Sequence, residues 1–414
     1  MIIPSSALNT PQDALTRLLA FLTPVTHEPR SWTEVRGRIL AQTILSDRDS
    51  PPTDVSAMDG YAVRLADLTT EVLPVVGEIT AGQVLPPSRR PAATNEDATA
   101  SPVTMRIFTG AAVPAWAEAV IPREDVLEEP GRITLRVPVD FVRRGQHIRR
   151  RGENLQAGGQ VLEPGTLLTP PALAALAAFG VTQVSVFQRV RLGLVITGNE
   201  LADPGSTPEP WQIRDSNGPA LGSLFAGIPW IDLLEVARVA DNLAAIREKL
   251  ERTLARCDAL IVTGGVSAGD YDFVPAALAQ LAGVQLLFHK LPIRPGKPIL
   301  GALGPRGQPI LALPGNPVSV LTTARYFGVP ALLRVAGLRP EHEPQPHVQV
   351  AATKDPPSKL WWYRPVTVRE PGWVEVVPSC GSGDLVSAAR SAGMIEVPPG
   401  EVTGGWRRFW GWRV

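Results

Sequence analysis

The sequence is poor in cysteine and histidine, carries no surplus of either charge, and contains no long hydrophobic run. Among its 414 residues, Cys257 and Cys380 are the only cysteines, so they cannot build a disulfide framework, and they form no Cys-x-x-Cys pair. The five histidines are scattered and include no His-Glu-x-x-His motif, which disfavours a zinc site. No apolar stretch reaches the roughly 20 residues of a membrane span, and the N-terminal residues lack a basic-then-apolar signal. We therefore expect a soluble, cytoplasmic protein.

Charge and composition narrow the class of protein further. Lys and Arg number 40, Asp and Glu also 40, and a nucleic-acid binder normally carries a basic surplus instead. The 44% of hydrophobic residues exclude a disordered or collagen-like chain. One local cluster of arginines is interpreted as a solvated face or as inter-domain salt bridges, in preference to an anion site. Its members are Arg143, Arg144, Arg149, Arg150 and Arg151.

The first half of the chain changes from helical to β-like patterns and back. A helix is predicted across 12–22, since Thr10 is a suitable N-cap and leucines recur on one face. Short β-like runs separated by Pro and Gly follow, and residues 86–102 have no hydrophobic period, as in a mobile surface loop. The predicted domains of this half are a helical linker domain (1–49 and 141–188) and an inserted β-rich domain (50–140).

The second half begins with alternating strands and helices and ends in β-like patterns. Helices are predicted at 217–226, 242–256, 273–282 and from Pro317, with apolar strands between them. This alternation predicts a three-layer α/β domain at 189–336, with a mostly parallel sheet covered by helices on both faces. A β-barrel-like domain is predicted at 337–414. Six of the ten tryptophans lie there and are interpreted as core or interface residues, not as ligand contacts.

Three polar loops that contain glycine follow strands of the predicted α/β domain. They are TGNE (197–200), TGGVSAGDYD (263–272) and LPGNPVS (313–319). Glycine lets the backbone approach a ligand, helix N-termini favour phosphate, and carboxylates are ligands that Mg²⁺ prefers. Each loop alone is more often a tight turn, and none matches a known phosphate or dinucleotide motif. Because the carboxyl ends of parallel strands share an edge, the three together indicate a nucleotide-like pocket.

Further motifs add cations, a carboxylate and a hydroxyl. Arg294 and Lys297 flank a Pro-Gly turn and would suit an oxyanion, although surface cations on an ordinary turn explain the motif equally well. In SAMDGYA (56–62) Asp59 precedes a glycine, as in many turns. In RIFTGA (106–111) Thr109 offers a hydroxyl at a predicted strand end.

As a set, these motifs resemble the molybdopterin molybdenumtransferases, the molybdenum-insertion enzymes of molybdenum-cofactor biosynthesis, to which the C-terminal domain of gephyrin is related. The matching motifs, which extend from about 56 to 387, are SAMDGYA, RIFTGA, RRRGEN, TGNEL, QIRDSN, TGGVSAGDYD, RPGKP, LPGNPVS and GSGDLVS. The resemblance implies four domains and an elongated homodimer whose active sites are shared between subunits. It implies that adenylylated molybdopterin is cleaved with molybdate and Mg²⁺, so that molybdenum enters the dithiolene and AMP leaves. Molybdopterin adenylyltransferase and molybdoenzyme-maturation proteins are the implied protein partners.

The resemblance also implies roles for individual residues. The implied catalytic residues are Asp59, Thr109, Glu200, Asp241 and Asp272, and among them Asp59, Glu200 and Asp272 are the implied Mg²⁺ ligands. Asp59 is expected to reach the pocket from the partner subunit. The implied substrate-binding residues are Gly264, Gly265, Ser267, Arg294, Gly296, Lys297, Pro314, Gly315, Asn316, Pro317, Ser319 and Ser382. Arg294 and Lys297 would attract molybdate, while the sulfur ligands belong to the substrate.

The sequence departs from the family pattern at a few positions. Asn154 stands where the family usually has Asp, Arg294 replaces a commoner Lys, and Lys359 and Arg364 match the C-terminal basic–aromatic pattern only loosely. Two other functions remain open. One is the preceding adenylylation of molybdopterin, against which the extra β domains and SAMDGYA argue. The other is a non-catalytic molybdopterin-binding scaffold, against which the retained acidic residues argue.

Overall fold

The computed structural model describes residues 10–83, 102–267, 272–338 and 345–413. The predicted surface loop at 86–102 lies outside the described residues apart from position 102, and so does the 268–271 part of the second glycine-containing loop. Within the described residues the α-helices are α1 (Pro11–Ala20), α2 (Pro170–Ala178), α3 (Asn217–Phe225), α4 (Leu243–Leu254), α5 (Val274–Ala279), α6 (Pro317–Thr323), α7 (Val329–Val335) and α8 (Leu385–Ala389).

The strands of the described residues are β1 (His27–Ser31), β2 (Ile44–Leu45), β3 (Val55–Ser56), β4 (Gly60–Val63), β5 (Val72–Ile79), β6 (Thr104–Ile107), β7 (Ala119–Pro122), β8 (Val126–Glu129), β9 (Arg132–Leu135), β10 (Ile148–Arg149), β11 (Gln160–Leu162), β12 (Gln183–Phe187), β13 (Val190–Thr197), β14 (Leu201–Ala202), β15 (Ile213–Arg214), β16 (Ile231–Val239), β17 (Ala259–Thr263), β18 (Gln285–His289), β19 (Ile293–Arg294), β20 (Leu300–Leu303), β21 (Pro309–Leu313), β22 (His347–Val350), β23 (Trp361–Glu370), β24 (Trp373–Val376), β25 (Gly393–Val397) and β26 (Gly405–Gly411). Contacts along the chain define two compact units. The small unit comprises residues 43–162 and 175–180, and the large unit comprises the remainder. The finer division into four domains remains a prediction.

The small unit is built on a six-stranded sheet with the order β7-β4-β6-β5-β9-β8. The β-like runs of the sequence form its strands β5, β6, β7 and β9, which confirms the β-rich fold expected for this part. Strand β4 is buried along its whole length. A Cβ atom on Gly60 would lie 2.0 Å from the carbonyl oxygen of Ile121, so only glycine fits where this strand begins. This close packing fixes the position of the preceding residue, Asp59.

Helix α1 confirms the first helix predicted from the sequence. The Thr10 side chain accepts a hydrogen bond from the backbone N–H of Asp13 at 3.0 Å, and the Asp13 carboxylate accepts one from the N–H of Thr10 at 3.2 Å. This capping box fixes the start of the helix. The region around it is less helical than predicted, because β1 pairs antiparallel with β12. The sequence of β1, HEPRS, has no apolar alternation that could have indicated a strand.

The large unit contains the predicted α/β sheet, with the strand order β16-β13-β17-β21-β20-β18. Strands β16, β13, β17 and β21 are parallel to one another. Strand β20 is antiparallel to both of its neighbours and is the one strand of this sheet that runs in the opposite direction. The mostly parallel sheet is therefore confirmed. Helices α3, α4 and α5 fall at the predicted positions and are one to four residues shorter than predicted, and α6 begins at the predicted Pro317.

Helices cover both faces of this sheet. In β13, Leu194 and Ile196 pack in one buried cluster with Phe225 of α3. The residue between them, Val195, packs in a second cluster with Ile246 of α4. Because successive side chains of a strand point to opposite faces, these clusters lie on opposite sides of the sheet and form the predicted three layers.

The C-terminal strands form a closed β-barrel, which confirms the barrel-like fold expected for this part. The order is β23-β24-β22-β26-β25, and β25 pairs back to β23. The two-residue strand β19, which comes from the α/β part of the chain, pairs in parallel with β23 and places Arg294 opposite Trp362. Trp410 is buried as predicted, at 3% exposure, whereas Trp373 and Trp406 are exposed at 49% and 64%. The sequence alone therefore does not predict which of these tryptophans are buried and which are exposed.

Candidate functional site

A cavity of about 850 Å³ opens where three strands of the α/β sheet end. Its walls include the loops that follow β13, β17 and β21, the turn after β19, and residues of barrel strand β23. This volume is in the range of small-molecule and cofactor sites. The three glycine-containing loops that the sequence placed at one sheet edge therefore lie together.

Most of the residues singled out in the sequence line this cavity. They are Glu200, Asp241, Gly264, Gly265, Ser267, Asp272, Arg294, Gly296, Lys297, Pro314, Gly315, Asn316, Pro317, Ser319 and Ser382. Asp59 and Thr109 belong to the small unit. The functional roles of all these residues remain predictions.

The turn after β17 requires glycine. Gly264 and Gly265 have φ angles of +86° and +60°, which L side chains rarely adopt. A Cβ atom on Gly264 would also lie 2.4 Å from the carbonyl oxygen of Thr197, at the end of β13. A hydrogen bond from the Asn217 side chain to the carbonyl oxygen of Gly315, at 2.7 Å, holds the third loop against the start of α3. The cavity floor is thus fixed by backbone packing.

Carboxylates from the strand-end loops line one part of the cavity. Asn199 and Asp241 exchange two hydrogen bonds, each from one residue's backbone N–H to the other's side-chain oxygen, at 3.0 Å. Glu200 and Asp272 also line the cavity. No group of three or more acidic, histidine or cysteine side chains that could hold a metal occurs among the described residues. Mg²⁺ is usually held by one or two carboxylates together with waters and substrate phosphates, so this acidic lining fits that ion.

Cationic residues line another part of the cavity. Arg294 and Lys297 are exposed, and neither forms an ion pair within the described residues. Arg364 is only 9% exposed and pairs with the Asp355 carboxylate at 2.6 Å. The hydrogen bonds from Arg364 and then Thr353 hold the pKa of Asp355 below its ordinary value. The positive charges of Arg294 and Lys297 therefore remain available to an anion in the cavity.

Sequence reasoning missed the aromatic residues of the cavity, Trp362 and Tyr363. Trp362 lines the cavity, although the tryptophans of this region were interpreted as core or interface residues. The Cζ atoms of Arg294 and Arg364 lie over its indole ring, 4.6 and 4.1 Å from the ring centroid. Trp362 and Arg364 are two positions apart on β23, so they share a face of the strand. In the sequence, the two-residue spacing of Trp362 and Arg364 in WWYRP could have indicated that the two side chains share a face of a strand. Lys359 is not among the lining residues.

In the small unit, Asp59 and Thr109 contact each other directly. The Asp59 carboxylate accepts hydrogen bonds from the backbone N–H of Thr109 at 2.8 Å and from its hydroxyl at 2.7 Å. These bonds, in that order, are the main causes that lower the pKa of Asp59, and the charges of Arg106 and Arg123 lower it further. Asp59 is therefore an ionised, oriented carboxylate at neutral pH.

Four of the five arginines of the cluster in the small unit form ion pairs, which agrees with the interpretation favoured from the sequence. The pairs are Arg144 with Glu118, Arg149 with Glu153, Arg150 with Asp54 and Arg151 with Asp49. Asn154 joins this network, since its side-chain oxygen accepts a hydrogen bond from Arg149 at 2.7 Å and its amide donates to the Ser50 hydroxyl at 3.3 Å. The neutral side chain that departs from the family pattern is thus accommodated by hydrogen bonds.

Comparison with known proteins is consistent with both parts of the chain. Residues 9–180 match the MoeA N-terminal region (domain I and II), and residues 193–334 match a probable molybdopterin binding domain. The molybdopterin molybdenumtransferase of Synechococcus elongatus is 35% identical over 382 residues, which are 89% of each chain. That of Haemophilus influenzae is 34% identical, over 77% of this chain and 75% of its own.

Solved structures agree with this assignment. The structure of the molybdopterin biosynthesis moeA protein from Pyrococcus horikoshii OT3 is similar with a TM-score of 0.75 and 28% identity, over 97% of this chain and 100% of that one. Within the described residues, no helix has the length and apolar character needed to cross a membrane. Identity above 30% along most of both chains, with the matching fold, shows that this chain belongs to the molybdopterin molybdenumtransferase family.

Proposed function

We propose that this protein transfers molybdenum from molybdate to the dithiolene of adenylylated molybdopterin and releases AMP. The observation that supports this most is one cavity that combines tight glycine loops, carboxylates and unpaired cations. Such a cavity offers different surfaces to a nucleotide and to a small oxyanion. The names of the relatives from Synechococcus elongatus and Haemophilus influenzae support the same reaction.

The loops at the strand ends would hold the pterin nucleotide. Gly264 and Gly265 present backbone close to the cavity with no side chain in the way. Asn316 donates a hydrogen bond to the Ser382 hydroxyl at 3.0 Å, which ties the third loop to the segment before α8. These residues position the substrate and reduce its freedom before any bond changes.

The carboxylates would act on the adenylyl phosphate. One or two of Glu200, Asp241 and Asp272, together with waters and the substrate phosphates, would hold Mg²⁺, which withdraws charge from a phosphoanhydride when it is bound there. The paired hydrogen bonds between Asn199 and Asp241 keep that carboxylate oriented at the cavity wall. We include Asp59 and Thr109 in the reaction as a contribution from the partner subunit of a homodimer.

The cations would bind molybdate. Arg294 and Lys297 supply N–H donors and positive charge, which an oxyanion needs once water is removed from it. Reaction of the dithiolene with the bound oxyanion needs no protein thiol, since the sulfur ligands belong to the substrate. We place the reaction in the cytoplasm, where molybdopterin adenylyltransferase would supply the substrate and molybdoenzyme-maturation proteins would receive the product.

The test is AMP release by the purified protein from adenylylated molybdopterin in the presence of Mg²⁺ and molybdate. We expect release that depends on both additions and that falls at least tenfold in Asp272→Asn and in Asp59→Asn. Mixing Asp59→Asn subunits with Asp272→Asn subunits should restore part of the activity, because one hybrid site would then be intact. Tight binding of the adenylylated pterin without AMP release would instead indicate a scaffold, and consumption of ATP with free molybdopterin would indicate the adenylylation step.

A further inference from the structure

We propose that Trp362 is a positioning residue that holds the Arg294 guanidinium in place for an oxyanion. This inference rests on the proposed function for the identity of the oxyanion, molybdate. In this proposal an indole ring, and not a charged group, orients the cation.

Arg294 and Trp362 contact each other through both their backbones and their side chains. Arg294 of β19 is the register partner of Trp362 in the parallel ladder with β23, so the two backbones are hydrogen-bonded neighbours. The Arg294 guanidinium also lies over the indole, with its Cζ atom 4.6 Å from the ring centroid. A guanidinium over the face of tryptophan is attracted by the ring's electron density.

The indole is the side-chain partner that the structure gives this guanidinium, because the Asp355 carboxylate interacts with Arg294 through charge alone and is itself ion-paired with Arg364. Arg294 forms no ion pair within the described residues, and its side chain donates no hydrogen bond within that part of the chain. An exposed arginine with no restraint samples many rotamers and loses that freedom when it binds a ligand. The indole therefore replaces the carboxylate partner that most oriented arginines have, and it does so without neutralising the charge.

The second arginine over the same ring differs in this respect. Arg364, whose Cζ atom lies 4.1 Å from the centroid, is balanced by Asp355 and donates to the Thr403 hydroxyl at 2.7 Å. Its positive charge is compensated and its donors are partly used. Of the two arginines over the indole, Arg294 is the one whose N–H groups remain available at the cavity.

The shape of the arginine side chain explains why this arrangement suits it. A guanidinium stacked by its face on an aromatic ring keeps its N–H donors in the plane, where they can meet an oxyanion. A lysine ammonium has no such plane, so it cannot be held by its face and donate from its edge. The arginine at position 294 and the tryptophan at position 362 thus act as one unit.

The test measures molybdate binding directly by calorimetry and, separately, the KM for molybdate and kcat in AMP release. We expect Trp362→Leu, which keeps an apolar side chain, to raise both the dissociation constant and the KM about fivefold. The effect should appear in KM and not in kcat, and Trp362→Phe should be intermediate. Trp373→Leu is the matched control, since this tryptophan is on barrel strand β24, is 49% exposed and does not line the cavity.

A double-substitution cycle separates positioning from simple packing. Arg294→Lys should weaken molybdate binding in the wild-type background and add little further in Trp362→Leu, because the stacked pair is already lost. Unchanged molybdate binding in a folded Trp362→Leu variant, or full additivity of the two substitutions, would overturn the inference. If Trp362→Leu does not fold, the same cycle with Trp362→Phe decides, and additivity there is again the contradicting result. Wild-type protein that binds molybdate but releases no AMP would contradict the proposed function alone, since calorimetry still tests the pair.

Discussion

Asn199 and Asp241 form a reciprocal pair in which each backbone N–H is bound by the other residue's side chain at 3.0 Å. The pair joins the loop after β13 to the residues after β16, so the carboxylate is oriented by a neighbouring loop and not by its own. We expect Asn199→Ala to raise the Mg²⁺ concentration for half-maximal AMP release about tenfold, as is common when the support of a ligand is removed.

The neighbouring Asn242 provides the matched control for this change. It is the N-cap of α4 and accepts hydrogen bonds from the N–H groups of Ala244 and Ala245. Asn242→Ala should lower the free energy of unfolding by about 1 kcal/mol. Asn199→Ala should lower it less, because its bonds are exposed and water can replace them. An effect of Asn199→Ala confined to stability would contradict the role given to this pair.

The second prediction concerns the pKa of Asp59. Hydrogen bonds from Thr109 lower it, so the ionised form persists to lower pH than in an ordinary aspartate. Any function of this carboxylate is therefore present above its lowered pKa and is lost as pH falls through it. Thr109→Val removes the hydroxyl and keeps the backbone N–H, so the pKa of Asp59 should rise part of the way to its ordinary value. NMR titration of the Asp59 carboxyl measures this, and the acid limb of activity should move to higher pH.

Thr109→Ser is the control for that experiment, since it keeps the hydroxyl donor. In the Thr109→Ser variant, the pKa of Asp59 and the acid limb of the pH–activity profile should match those of the wild type. A pKa of Asp59 that is the same in the Val and Ser variants would show that the hydroxyl does not stabilise the carboxylate.

The third prediction concerns the backbone of the turn after β17. Gly264→Ala should lower the free energy of unfolding by about 2 kcal/mol and abolish AMP release, because φ is +86° there and the added Cβ meets Thr197. Gly222→Ala is the control, since Gly222 lies inside α3 and nothing comes within 4 Å of an added Cβ. It should raise stability by about 0.5–1 kcal/mol. Thermal unfolding and AMP release of both variants measure these effects. A Gly264→Ala protein that is stable and active would contradict the requirement for glycine at this position.

The fourth prediction concerns a buried carboxyl group on barrel strand β25. Glu396 is buried at 8% exposure, accepts a hydrogen bond from the Tyr363 hydroxyl at 3.1 Å, and has its pKa raised by burial. A raised pKa means that its contribution to stability is fully present below the ordinary value of 4.5 and is lost as pH rises through the folded-state pKa. Glu396→Gln keeps an acceptor for Tyr363 and cannot ionise.

We therefore expect Glu396→Gln to raise the melting temperature at neutral pH and to remove part of the loss that the wild type shows as pH rises from 4.5. Melting curves across that range measure the difference between the two proteins. Equal pH dependence in both would show that the pKa of Glu396 is the same in the folded and unfolded protein, which would contradict its raised value.

The sequence predicts the strand-end loops that form the floor of the cavity better than the wall formed by β19 and β23. Apolar runs such as LGLVIT identify parallel strands, and strand order then requires that their carboxyl ends, with Gly198, Gly264 and Gly315, lie at one edge. The wall depends on β19, which is only two residues long and becomes a strand because β23 pairs with it. No local pattern predicts such a pairing. The contact of Trp362 with Arg294 follows from this pairing, which is why sequence reasoning missed the pair.

Pairing of β19 with β23 has a mechanical consequence. The ladder pairs Ile293 with Trp361 and Arg294 with Trp362. A segment that leaves the α/β sheet is therefore paired with a barrel strand before the chain returns to the sheet at β20. A hinge between sheet and barrel at this place would have to break backbone hydrogen bonds. Pairing with β23 therefore anchors the part of the cavity that carries Arg294 directly to the barrel.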